Sequence, residues 1–131
     1  MNKDIEELIV KSFFIKQKRE RGIYEFSSSK KRRSFIWKLS KDIMIDTKIH
    51  KVSNRLTAYI DIEEILLNMG APKDCYVMSI DNEIDGQVLS LNLALSKTIG
   101  FGPAFISCVH GKLAYLECEQ SFGPPERFIL Y

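Results

Sequence analysis

The sequence contains few of the residues on which metal sites and histidine-based catalysis depend. It has 2 histidines, His50 and His110, among 131 residues, which nearly excludes a histidine-rich catalytic or metal site. The 3 cysteines, Cys75, Cys108 and Cys118, form no C-x-x-C pair and are odd in number. They therefore predict neither a zinc site nor a disulfide framework, and they suit a reducing cytosol. We expect no metal and no cofactor.

Signals for membranes and for nucleotide binding are also missing. The longest apolar runs are far shorter than a membrane span, and Met1–Asp4 lacks the pattern of a signal peptide. No P-loop lysine and no G-x-S-x-G motif occur. The glycine pair around Phe101 leads into a proline and a strand instead of a helix, which argues against a dinucleotide site. A cytoplasmic location without membrane contact is the expectation.

The length and composition predict a single domain over residues 1–131. A hydrophobic fraction of 45% and a charged fraction of 27% are ordinary for a globular protein. No linker rich in proline and glycine separates one part of the chain from another. One cooperative unit is therefore the simplest arrangement.

The net charge of +2 conceals an uneven distribution of charge along the chain. Residues 1–55 hold 15 Lys and Arg against 7 Asp and Glu, whereas residues 56–131 hold 4 against 10. Such a contrast suggests an anionic partner for the basic half. An alternative is that the basic half (1–55) and the acidic half (56–131) attract each other within the fold.

A β-hairpin over residues 102–119 is the strongest structural signal. Two apolar strands flank His110 and Gly111, and the glycine supplies the positive φ that a two-residue turn requires. The resulting register places Cys108 and Cys118 on opposite faces of the sheet, where they cannot form a disulfide. Both faces are apolar, so both need a covering layer of helices.

Periodic segments on either side of the hairpin complete an α+β prediction. Apolar residues at helical spacing predict helices near residues 4–14, 30–39, 61–69 and 90–99, and residues 15–26 can form another. Residues 75–80 and 127–131 read as strands, residues 41–57 as a connection, and Ser121–Pro125 as a loop. We predict a helical N-terminal half packed on a small, mixed or antiparallel sheet of three to four strands.

The helix predicted over residues 30–39 is the first candidate site. At about 100° per residue, Phe35, Ile36 and Leu39 share one face, and cationic side chains surround Trp37 on the other. Cations neutralise phosphates and an aromatic ring stacks on exposed bases, a combination that suits nucleic acid. A solvated helix face and a packed tryptophan are the alternative. The predicted contacts to an anionic partner are Lys30, Lys31, Arg33, Trp37, Lys38 and Lys41.

The second candidate site lies on the predicted hairpin. Cys108 and His110 are two residues apart on one strand and project to the same face, and Glu117 can approach them from the neighbouring strand. A nucleophile, a base and an orienting carboxylate are the groups that covalent catalysis needs. The alternative is that Cys108 is a small buried hydrophobe and His110 a turn residue.

These observations favour a non-catalytic binding or regulatory module. Its partner would be nucleic acid or an acidic protein surface, bound through the basic half. One alternative is a small enzyme or small-molecule-binding protein with a site centred on Cys108. Another is a stoichiometric protein inhibitor such as an immunity protein, and an apolar sheet face could also be covered by a second copy of the chain.

Overall fold

Six strands and five α-helices make up the fold in the computed structural model, which describes residues 1–56, 58–120 and 123–131. The helices are α1 (Lys3–Phe13), α2 (Lys16–Ser27), α3 (Arg32–Trp37), α4 (Tyr59–Asn68) and α5 (Leu91–Thr98). The strands are β1 (Ile49–Lys51), β2 (Asp74–Ser79), β3 (Val88–Ser90), β4 (Ala104–Val109), β5 (Leu113–Glu117) and β6 (Arg127–Leu130). The predicted α+β class and single domain are confirmed.

The sheet is larger than the sequence indicates. Its strands are arranged in the order β1-β6-β5-β4-β2-β3, and every neighbouring pair is antiparallel. The prediction of three to four strands is therefore wrong. It misses the two edge strands, β1 and β3, each of which is three residues long. Edge strands this short carry too little alternation to be recognised from sequence.

The predicted hairpin is formed by β4 and β5 at the centre of the sheet. Ser107 pairs with Ala114 and Ile106 pairs with Tyr115, as the register predicts. A two-residue turn at His110 and Gly111 predicts that Val109 pairs with Lys112, and this is wrong, because Val109 pairs with Leu113 and the register shifts at Cys108. One strand carries an extra residue there, which is a β-bulge.

Helices cover both faces of the sheet and produce two separate apolar cores. Helices α1–α3 pack on the face that carries Phe105, Leu116 and Cys118. Helices α4 and α5 pack on the opposite face, where Cys108 lies. Cys108 and Cys118 thus occupy different cores, as the predicted alternation requires. All three cysteines of the chain are free and buried.

Two predicted helix starts are wrong, and one predicted helix end is confirmed. Helix α3 begins at Arg32 instead of Lys30 because Ser28 closes a turn there, accepting the Lys31 and Arg32 amides at its carbonyl. Helix α4 begins at Tyr59, so Asp61 lies in its first turn and is not its cap. At its end Gly70 has a φ of 102°, the left-handed conformation that commonly ends a helix.

Two further predicted segments are the connection over residues 41–57 and the loop Ser121–Pro125. Residues 41–56, predicted as a connection, hold two short 3-10 turns and β1. Thr57 belongs to the same predicted connection, and Ser121 and Phe122 belong to the predicted loop. These three positions lie outside the described residues. Within the described part of the chain, no helix has the length and apolarity needed to cross a membrane.

Candidate functional site

Helix α3 presents a cationic surface to solvent. Its apolar side chains Phe35 and Ile36 are buried against the sheet, as is Leu39 just beyond it. The opposite side is exposed, and Trp37 is 37% exposed among cations. We call this surface the cationic face and define it as Lys30, Lys31, Arg33, Trp37 and Lys38.

The cations of this face form no ion pair within the part of the chain that the structure describes. Over residues 1–56, 58–120 and 123–131, no ion pair within 4.0 Å involves Lys30, Lys31, Arg33 or Lys38. The Lys31 ammonium instead lies 5.1 Å from the centre of the Tyr24 ring. The positive charge of the cationic face is therefore not neutralised by an ion pair within the described residues.

Other basic residues of the N-terminal half are paired with the acidic half. Lys41, predicted to join the candidate site, lies beyond α3 with its Nζ atom 4.0 Å from a carboxylate oxygen of Glu126. Lys51 is at the same distance from that carboxylate. Attraction between the two halves therefore accounts for part of the charge asymmetry, but not for the cationic face.

Arg32, in the middle of the basic run, has a structural role that the sequence reasoning missed. Its side chain is buried, and its five N–H donors all find acceptors. They reach both carboxylate oxygens of Glu6, both of Asp85, and the carbonyl of Phe26. Burial alone would lower the pKa of Arg32, but these bonds and charges raise it overall. Arg32 thus ties α1 and α3 to the loop between β2 and β3.

Glu6 is shared between Arg32 and a tyrosine of the sheet. The Tyr76 hydroxyl donates to the Glu6 carboxylate and accepts the backbone N–H of Asn2. Burial, together with the bond to Glu6, raises the pKa of Tyr76 to about 12. The phenol therefore keeps its proton, and the whole cluster is satisfied internally.

Phe101 extends the cationic face into a mixed aromatic and cationic surface. It is 75% exposed in the turn between α5 and β4. Together with Trp37 it lines a concavity of about 330 Å³. On its other side Phe101, Arg33 and Lys97 line a second concavity of about 390 Å³, which also includes Asp81. Phe101 thus lines both concavities, the one that it shares with Trp37 and the one that it shares with Arg33 and Lys97.

Glu117 anchors the turn that carries Phe101. Its carboxylate accepts the Gly100 N–H at 2.7 Å, the Tyr115 hydroxyl at 2.6 Å and the Arg127 Nε–H at 2.8 Å. Burial and the neighbouring Glu117 charge raise the pKa of Tyr115, so its hydroxyl remains a donor. Glu117 therefore has a supporting position beneath the candidate surface.

The structure does not bring together Cys108, His110 and Glu117. Cys108 is 3% exposed within the apolar core under α4 and α5. His110 is exposed, and its Nδ1 atom is hydrogen-bonded at 2.7 Å to the Oγ atom of the buried Ser107. Among the described residues, no hydrogen bond joins any two of the three predicted groups. Within the described residues the thiol of Cys108 is thus almost fully buried and has no hydrogen-bonded base.

The cysteine thiols are expected to resist alkylation in the folded protein. Burial is the main cause that raises the pKa of Cys75, Cys108 and Cys118 to about 12, so about one thiol in ten thousand is ionised near pH 8. Iodoacetamide at about pH 8, followed by mass spectrometry, should modify none of them until denaturant is added. Rapid alkylation of native Cys108 would instead support the enzyme hypothesis.

Within the described residues, no group of three or more His, Cys, Asp or Glu side chains could hold a metal ion. No family model, curated protein or solved structure matches this chain. The evidence for its function therefore comes from its own residues.

Proposed function

We propose that this chain is a non-catalytic binding module that contacts an anionic partner through the cationic face. One observation carries the proposal. Four exposed cations within nine residues of sequence, on either side of Trp37, have no ion pair within the described residues, whereas Arg32, Lys41 and Lys51 each have one. Lys16, Lys18 and Arg19 of α2 also lack an ion pair within the described residues, but the cationic face is the cluster that contains the exposed tryptophan of the chain.

Electrostatics supports the same conclusion. Lys30 and Arg33 are three residues apart and Lys38 follows Trp37 directly, so the cations repel one another at short range. An anionic partner would relieve this repulsion, and the attraction would also accelerate its association.

Reversal of three charges on the cationic face should weaken binding to polyanions. The probes are fluorescein-labelled heparin and labelled poly-glutamate, followed by anisotropy at about 50 to 200 mM salt. Since each exposed ion pair contributes about 0.2–1 kcal/mol, we expect the triple variant to bind about 3-fold to 150-fold more weakly at low salt. The substitutions are Lys30→Glu, Arg33→Glu and Lys38→Glu.

A matched triple variant controls for the change in net charge. It reverses three exposed cations far from α3 in sequence and should bind nearly as tightly as the unmodified chain. Its thermal midpoint and that of the test variant should both stay close to the original value, because all six side chains are exposed. Equal weakening by the two variants would overturn the assignment of the face. The control substitutions are Arg55→Glu, Lys73→Glu and Lys112→Glu.

An inhibitor of an acidic protein would use this same face. Preference for poly-glutamate over heparin would favour a protein partner of that kind. Absence of binding to either probe at about 50 mM salt would overturn the proposed function as a whole, since electrostatic association is strongest there.

A further inference from the structure

Phe101 is exposed because the backbone holds it there. The Gly100 N–H donates to Glu117, and the Phe101 N–H donates to the Thr98 carbonyl at 3.0 Å. Gly102 has a φ of 130°, and a Cβ atom at that position would lie 2.6 Å from Cδ1 of Ile80. The turn is therefore fixed on both sides of Phe101. A large aromatic side chain held in solvent by such a turn loses little conformational freedom on binding.

Trp37 supplies a second aromatic surface beside Phe101. The two residues line the concavity of about 330 Å³, whose rim includes Glu119 and Gln120. Arg33 and Lys97 line the neighbouring concavity beyond Phe101. Two aromatic side chains therefore lie next to two exposed cations.

We propose that the anionic partner is single-stranded nucleic acid, with bases stacking on Trp37 and Phe101 while Arg33 and Lys97 neutralise phosphates. This inference rests on the proposed function and names its partner. A single strand carries planar bases beside anionic phosphates, and this combination matches a surface on which aromatic side chains lie next to cations. A duplex hides the faces of its bases, and heparin and acidic peptides do not carry a planar ring beside each charge.

The carboxylates at the rim are compatible with this partner. Asp81 lies in the cationic concavity and Glu119 beside the aromatic one. They would repel a ligand that is anionic throughout. The amino groups of bases, by contrast, are donors that a carboxylate accepts. A ligand with both phosphates and base edges suits the mixed charge better than a purely acidic protein surface does.

The chain contains a built-in reporter of stacking, because Trp37 is its 1 tryptophan. Unlabelled oligothymidine and oligouridine of about 12 nucleotides should quench its fluorescence in a saturable way, and the affinity should fall with added salt. Phe101→Ala should weaken binding by about 5-fold to 150-fold, the range expected for loss of one stacked base. Its thermal midpoint should change little because the ring is exposed.

Tyr131→Ala is the matched control. Tyr131 is also an exposed aromatic residue, but it stacks on His50 in the edge strand β1. Its loss should leave the affinity for the oligonucleotides unchanged. An equal effect of the two alanine variants would overturn the role of Phe101.

The other outcomes separate this inference from the proposed function. Binding of heparin without quenching of Trp37 by either oligonucleotide would overturn base stacking and leave an anion-binding face. Tighter binding of a duplex, or of poly-glutamate, than of the single strands would also overturn the inference. Absence of binding to every polyanion would overturn both.

Discussion

Replacing Arg32 with methionine is expected to lower the free energy of unfolding by about 3–5 kcal/mol. The substitution removes five hydrogen bonds and leaves two carboxylates, those of Glu6 and Asp85, in a buried site without their cation. A buried charge without a partner is far more costly than the net contribution of the intact pair. Urea unfolding followed by circular dichroism would measure the loss.

The neighbouring arginine is a control of the same chemistry. Arg33→Met changes an exposed side chain of the same helix, so its effect on stability should stay within about 0.5 kcal/mol. A second comparison isolates the cause. If uncompensated charge dominates, Glu6→Gln should restore part of the stability of the Arg32→Met variant, whereas the same change should destabilise the original chain. Additive effects of the two substitutions would contradict this explanation.

Replacing Glu117 with alanine is expected to have a similar cost, again about 3–5 kcal/mol. The change leaves the Arg127 guanidinium, the Tyr115 hydroxyl and the Gly100 amide without the acceptor they share. Two of these partners are buried side chains. The variant therefore combines a buried unpaired cation with loss of the contact that fixes the turn before Phe101.

Hydrogen exchange distinguishes the local effect from the global one. In the Glu117→Ala variant the Gly100 amide should lose protection beyond the loss of global stability, because its acceptor is gone. Amides in the middle of β2 should change only in proportion to the free energy of unfolding. Glu119→Ala, an exposed position close by, should alter neither. An unchanged Gly100 amide would show that the turn does not depend on Glu117.

The central hairpin was predictable because its signals are local. Gly111 has a φ of 79° in the turn, and strict alternation determines which core receives Cys108 and which receives Cys118. The bulge at Cys108 was not predictable. It depends on the hydrogen bond that the Lys112 N–H donates to the Val109 carbonyl in the turn. An alternation of period two contains no information about an extra residue.

The burial of Arg32 is indicated by the sequence pattern but not by a count of charges. In the run KKRR every residue looks alike when charges are counted. Helical phase distinguishes them, since Arg32 lies at the i position of a pattern that continues with Phe35, Ile36 and Leu39. A basic residue in phase with buried positions indicates an internal ion pair. Its partners, Glu6 and Asp85, are distant in sequence and could not be inferred.

The aromatic half of the candidate surface required the tertiary structure. Phe101 follows α5 and lies 64 residues after Trp37 in sequence, and nothing local relates them. An aromatic residue between two glycines indicates an exposed turn, which is the one available signal. The turn lies beside α3 because α3 packs against β4, and the start of β4 is at the same end of the sheet as α3.

The order of the strands determines when the sheet can be completed during synthesis. Among the described strands β1 pairs only with β6, so Ile49 has no partner in the sheet until Leu130 has been synthesised. At the usual pace of translation, residues that far apart leave the ribosome roughly 4 to 16 seconds apart. During that interval β1 is unpaired and the N-terminal helices lack most of the sheet on which they pack. A nascent chain therefore leaves the part of its aromatic core that packs on β6 uncovered until residues 127–130 emerge.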